Sequence, residues 1–118
     1  MEIQKIDSYL KSGDFLEETI NQLVKDFLMV GVNFDIEKQV KNYKYLFDFT
    51  FHLINTLNER NPKTILTLLY RIDLPEEKVK EEMKKTKLSF TEMLSEMIVK
   101  RELQKIIIKD YYSNTENR

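Results

Sequence analysis

The chain reads as an all-α protein: a single compact bundle of about five to six helices, with a short buried central helix and a long C-terminal helix. Three observations predict this. Apolar residues recur at three- and four-residue spacing along most of the chain, the period of a helix with one buried face. Only 2 Gly and 2 Pro occur in 118 residues, too few for the tight turns that an all-β domain of this size requires. Helix start and stop signals punctuate the periodic segments.

The elements follow in order. Ile3, Ile6 and Leu10 predict a short helix over residues 2–12, ended by Gly13. Asp14-Phe15-Leu16-Glu17 has the spacing of a capping box opening a second helix. Its stripe is Leu16, Ile20, Leu23, Val24, Phe27, Leu28 and Val30, and Gly31 ends it. Residues 32–39 connect onward, with Asn33 or Asp35 as the expected next cap.

The third segment, from about Ile36 or Val40 to Arg60, carries two periods at once. Tyr43, Tyr45, Phe47, Phe49, Phe51 and Leu53 alternate as a half-buried strand would. Val40, Tyr43, Phe47, Phe51 and Ile54 fit a helix equally well. The segment exceeds normal strand length, and no second strand is in sight to satisfy its backbone groups, so a helix is expected.

The densest bounded apolar run is Thr64 to Asp73. Ile65, Leu68, Leu69 and Ile72 share one side, which Leu66 and Tyr70 widen, so this helix is expected to be an interior rod. Asn61-Pro62 opens it, and Pro75 disfavours helical geometry at Leu74. Asp73 is expected to cap the helix that follows. That helix, about Pro75 to Lys85, has only Val79 and Met83 as apolar residues and reads as a surface helix. Ser89-Phe90-Thr91-Glu92 is a second capping box and opens the last helix, Phe90 to about Tyr112. Residues 1–112 thus form one domain, and 113–118 a flexible tail.

The last helix has two apolar faces. Phe90, Met93, Leu94, Met97 and Ile98 form one; Val99, Leu103 and Ile106 lie roughly opposite. Arg101 and Gln104 interrupt the first. Either the helix rolls out of the core near Arg101, or the second face meets a partner or another copy of the chain.

Composition excludes several function classes. A 42% hydrophobic and 33% charged chain is globular rather than disordered. The absence of Cys removes a disulfide framework, a zinc ribbon and a thiol nucleophile. No apolar run is long enough to span a bilayer or to serve as a signal peptide, so no membrane is expected and the expected location is cytoplasmic. Residues 1–60 carry 7 basic and 10 acidic side chains and residues 61–118 carry 12 and 10, too small an asymmetry to name a nucleic acid or membrane as partner.

Sites of chemistry are scarce. No glycine-rich loop cradles phosphates, and no Ser has a credible base. Asp48 and His52, at i and i+4, share a face with Asn55 and Glu59 nearby. A zinc site needs three protein ligands or more, so a solvated polar stripe is the expected reading. Adjacent pairs such as Glu76-Glu77 diverge on a helix and do not form an acid–base pair. The sequence thus predicts no catalytic residue, no metal and no cofactor.

Two stretches carry a resemblance. Leu68-Leu69-Tyr70-Arg71-Ile72-Asp73, with the helix opening behind it, and Ile98-Val99-Lys100-Arg101-Glu102-Leu103-Gln104-Lys105 resemble a group of small bacterial helical proteins of uncharacterised function. The resemblance covers roughly residues 40–112. It implies an all-helical fold and transfers no activity, ligand or site. It also draws attention to Arg71, Asp73 and Arg101 as structural polar residues, with both guanidiniums expected at the seam between the central and last helices, tied to carboxylates such as Asp73 or Glu102.

The expected function is that of a small protein-interaction or structural adaptor without catalytic activity, self-associating or binding a protein partner through Val99, Leu103 and Ile106. The alternative is a nucleic-acid accessory using Lys78, Lys80, Lys84, Lys85 and Lys87 with Lys100, Arg101, Lys105 and Lys109. A ligand or metal binder using Asp48 and His52 ranks third.

Overall fold

The computed structural model describes residues 6–36 and 41–116, and the described residues form six helices and no strand. They are α1 (Ile6–Ser12), α2 (Leu16–Met29), α3 (Tyr43–Arg60), α4 (Pro62–Arg71), α5 (Glu76–Lys85) and α6 (Phe90–Glu116). The all-α bundle is therefore as the periodicity predicts. The aromatic run Tyr43 to Leu53 is helical throughout.

The centre of the bundle is α6. It packs against α1, α2, α3 and α5, while α4 lies on α3 and α2. Its 27 residues make a rod of about 40 Å, comparable with the longest dimension of the molecule, 47 Å. Both of its apolar faces are buried: Met93, Leu94 and Ile98 on one side, Val99, Leu103 and Ile107 on the other. The helix runs on to Glu116, so residues 113–116 continue it where the sequence suggested a tail.

The expected interior rod is α4, and only half of that expectation holds. Ile65, Leu68, Leu69 and Ile72 are buried, but Leu66 is 53% exposed and Tyr70 90% exposed. A bundle of this size has room for one surrounded helix. The long α6, apolar on both sides, takes that place, leaving α4 one covered face.

The corners are set by backbone chemistry. At the end of α2 the amide of Val32 reaches the Phe27 carbonyl at 2.9 Å and that of Gly31 reaches Leu28 at 3.0 Å. This is a Schellman closure with Gly31 left-handed at φ 87°. The end of α4 repeats it: Leu74 N–H to Leu69 at 2.9 Å and Asp73 N–H to Tyr70 at 3.2 Å. Here the left-handed residue is Asp73, at φ 60°. Asp73 thus ends α4 and does not cap α5, which begins behind Pro75 without a side-chain cap. Asp is tolerated in that conformation and Gly is preferred. Asp73→Gly is therefore expected to leave stability unchanged or raise it by up to about 1 kcal/mol, and Asp73→Val to lower it by about 1–2 kcal/mol. The urea midpoints of the two variants check this.

Two other expected caps also differ. The box at Asp14 does not form, because Phe15 turns left-handed at φ 60° and no side chain caps α2. Instead the buried Tyr43 hydroxyl donates to the Asp14 carbonyl at 2.7 Å and fastens this corner to the start of α3. The cap of α3 is Asn42, whose Oδ1 accepts from the Tyr45 amide at 3.0 Å, and not Asn33 or Asp35. Half of the second box is present: Ser89 Oγ accepts from the Glu92 amide at 3.3 Å, while Glu92 Oε1 accepts from the Ser89 hydroxyl at 3.0 Å in place of the Ser89 backbone amide.

Candidate functional site

The polar feature that the fold isolates is a seam where α2, α4 and α6 meet. Asp26, on α2, stands one helical turn beyond Leu23 and beside Phe27, both fully buried, so the helix that buries those residues buries Asp26 too. It is 2% exposed, and its two oxygens receive three donors. Arg71 Nε of α4 donates to Oδ1 at 2.9 Å. Lys105 Nζ of α6 donates to Oδ2 at 2.8 Å, and Gln22 Nε2 to the same oxygen at 3.0 Å. One carboxylate therefore ties three helices.

Glu102 lies one turn before Lys105 on α6 and is 0% exposed. Lys105 Nζ donates to its Oε1 at 3.1 Å. Its Oε2 is buried with no partner. Two carboxyl groups thus share one ammonium. Burial pushes the Asp26 carboxyl up, but hydrogen bonds with Glu102, Lys105 and Gln22 and the charge of Lys105 outweigh it and hold Asp26 down at about 2. Burial pushes Glu102 up, the neighbouring Asp26 adds to it, and Lys105 offsets only part, leaving Glu102 at about 8.

Arg101 makes a separate node. Its Nε donates to the Ile72 carbonyl at 2.9 Å and its guanidinium to Gln104 Oε1 at 2.8 Å, with Asp73 Oδ2 at 3.5 Å. It thereby satisfies the C-terminal end of α4, where a cation also suits the helix dipole. Arg101 therefore sits at the seam of α4 and α6, as the sequence suggests, whereas Arg71 lies at the seam of α4 and α2. Arg101 finds Asp73, but the carboxylate of Arg71 is Asp26, which the sequence reading did not name.

Other expected residues are placed differently. Val99 and Leu103 are fully buried, and Ile106 is half-buried beside a cleft of about 390 Å³ between α2 and α6. Two of the three residues expected to meet a partner, Val99 and Leu103, thus belong to the molecule's own core, and Ile106 alone borders an open cleft. Leu103→Glu is accordingly expected to unfold the chain rather than to dissociate a dimer, which loss of the helical circular dichroism signal at room temperature would show.

Asp48, His52, Asn55 and Glu59 are all exposed on α3, and among the described residues no group of His, Cys, Asp and Glu could hold a metal ion. Lys78, Lys80, Lys84, Lys85 and Lys87 are exposed beside Glu76, Glu77, Glu81 and Glu82. Of the basic residues on α6, Arg101 and Lys105 are held by internal partners. Beside Arg101 a groove of about 710 Å³ runs between α5 and α6, with Leu74, Met93 and Met97 in its wall and charges of both signs, Glu82, Glu96, Lys78 and Lys100, along it. No helix among the described residues is long and apolar enough to cross a membrane.

No protein-family model, curated protein or solved structure matches this chain.

The buried cluster meets solvent through Gln22, Lys105 and Arg71, the last two at 26% and 32% side-chain exposure. Its arrangement suits fastening helices and holding a proton more than meeting a substrate.

Proposed function

We propose that this chain acts by binding another protein through the outer face of α4, without catalysing a reaction. The observation that carries this reading is Tyr70, 90% exposed, with Leu66 one turn earlier on the same face. Large apolar and aromatic side chains displayed on a fixed helix are the composition of an interface centre. The helix is fixed at its C-terminal end by Arg71 on Asp26 and by Arg101 on the Ile72 carbonyl. The first of these bonds also joins α4 to the C-terminal end of α2, where Leu28 and Met29 are exposed. Little ordering is then needed on binding, which favours affinity.

A photoreactive amino acid at position 70 tests the reading, both in the producing cells and in the purified chain. A discrete crosslinked species that disappears when Leu66→Glu is added is the expected result. A second copy of the chain or a different protein in the adduct separates self-association from a heterologous partner. No adduct in either setting defeats the reading.

A further inference from the structure

The seam between α2 and α6 holds more acid than its geometry can keep ionised. Asp26 takes all three donors that reach its oxygens, from Arg71, Lys105 and Gln22. Glu102 takes one, a hydrogen bond at 3.1 Å from the ammonium that Asp26 already holds at 2.8 Å. Its second oxygen is buried without a partner. A carboxylate in that position has lost its water and gained a single shared donor, which is a costly arrangement. A carboxylic acid there needs no counter-charge, and its proton can be donated to the adjacent Asp26 carboxylate.

We propose that the Asp26–Glu102 pair is a proton-binding site whose occupancy fastens α2 to α6. With the proton bound, one acid and one carboxylate share Lys105, and α2 is held to α6 by hydrogen bonds on both carboxyl groups. Without it, two like charges lie side by side on one ammonium in a water-poor seam, and the C-terminal half of α2 separates from α6.

Among the described residues, no charged group other than Lys105 and Arg71 is hydrogen-bonded to this pair. On α2 the facing groups are Asp26 and the neutral Gln22; on α6, Lys105; on α4, Arg71, which reaches Asp26 Oδ1 alone. The charged residues of α3, Lys44, Asp48, His52, Glu59 and Arg60, are all exposed, as are those described on α1 and α5. The ordering of the two acids agrees with this: Asp26 is held at about 2 and Glu102 is raised to about 8, first by burial and then by Asp26. The proton therefore leaves Glu102 in mildly alkaline solution.

Two measurements on the full chain test the proposal. Side-chain carboxyl ¹³C shifts followed against pH are expected to show Glu102 titrating at about 8; titration in the ordinary carboxylate range overturns the proposal. Amide hydrogen exchange, corrected for its intrinsic pH dependence, is expected to show protection of residues 23–28 falling about a hundredfold between about pH 6 and about pH 9. That fall is expected to vanish in Glu102→Gln, which keeps the shape and cannot ionise. A fall of equal size in Glu102→Gln, or none in the wild-type chain, overturns it, and the ¹³C titration stands without the variant.

Discussion

Asp26→Ala is expected to lower stability by about 3–5 kcal/mol, the usual consequence of removing one partner from a buried ionic cluster. The substitution takes an acceptor from Arg71, Lys105 and Gln22 together and leaves the Lys105 ammonium facing a seam that holds only Glu102. Arg71 is 32% exposed at its side chain and can turn to water, so most of the loss falls on Lys105 and on the packing beside Phe27. Urea unfolding reads the loss as a lowered midpoint. A loss below about 1 kcal/mol in the single variant would mean that the seam is held by its apolar neighbours and not by the ion pair.

The second large effect is on the pH dependence of folding. Glu102 binds its proton up to about 8 in the folded chain, against an ordinary value of 4.5. Between those values the folded state holds a proton that the unfolded state has released. Stability therefore falls as pH rises, by about 1.4 kcal/mol per unit. Across the whole window the loss is on the order of 5 kcal/mol. Asp26 acts in the opposite sense at the acid end: held at about 2 against 3.8, it contributes stability above its ordinary value that is lost as pH falls towards 2. Maximal stability is thus expected at roughly pH 4 to 5, more acidic than for most globular domains. Midpoints measured from acid to mildly alkaline pH check this. In Glu102→Gln the decline above about pH 5 should flatten, making the variant increasingly more stable than the wild type as pH rises.

The sequence carried the fold well where one period dominated. The stripe from Leu16 to Val30, the stop at Gly31 and the box at Ser89 all correspond to helix α2, its closure and the start of α6. Competing periods were decided by pairing: the alternating aromatics of α3 had no strand to join, and they are helical. What spacing could not decide was which helix is surrounded. Both α4 and α6 are apolar over much of their circumference, and only the packing of α1, α2, α3 and α5 around α6 makes Val99 and Leu103 interior and Tyr70 exterior.

The buried cluster was partly visible. Asp26 sits at a core position of the α2 stripe, i+3 from Leu23, and a charge there is a signal. Glu102 lies between Ile98 and Val99 when α6 is viewed end-on, so burying both apolar faces buries Glu102 as well. The partners of these acids were not visible, because Asp26 meets residues 45 and 79 positions away. No local pattern encodes a bond across that distance.

That α6 is the axis of the molecule also fixes the order in which a growing chain can complete itself. The other five helices are synthesised first, and four of them cover a helix that has not yet been made. Until about Ile107 has left the ribosome, α2 and α3, which carry Leu23, Phe27, Leu46 and Ile54, have α4 to lie against but lack the α6 surface that completes the core. For most of its synthesis the nascent polypeptide therefore presents them to the solvent, a period in which chaperone capture or premature association competes with folding.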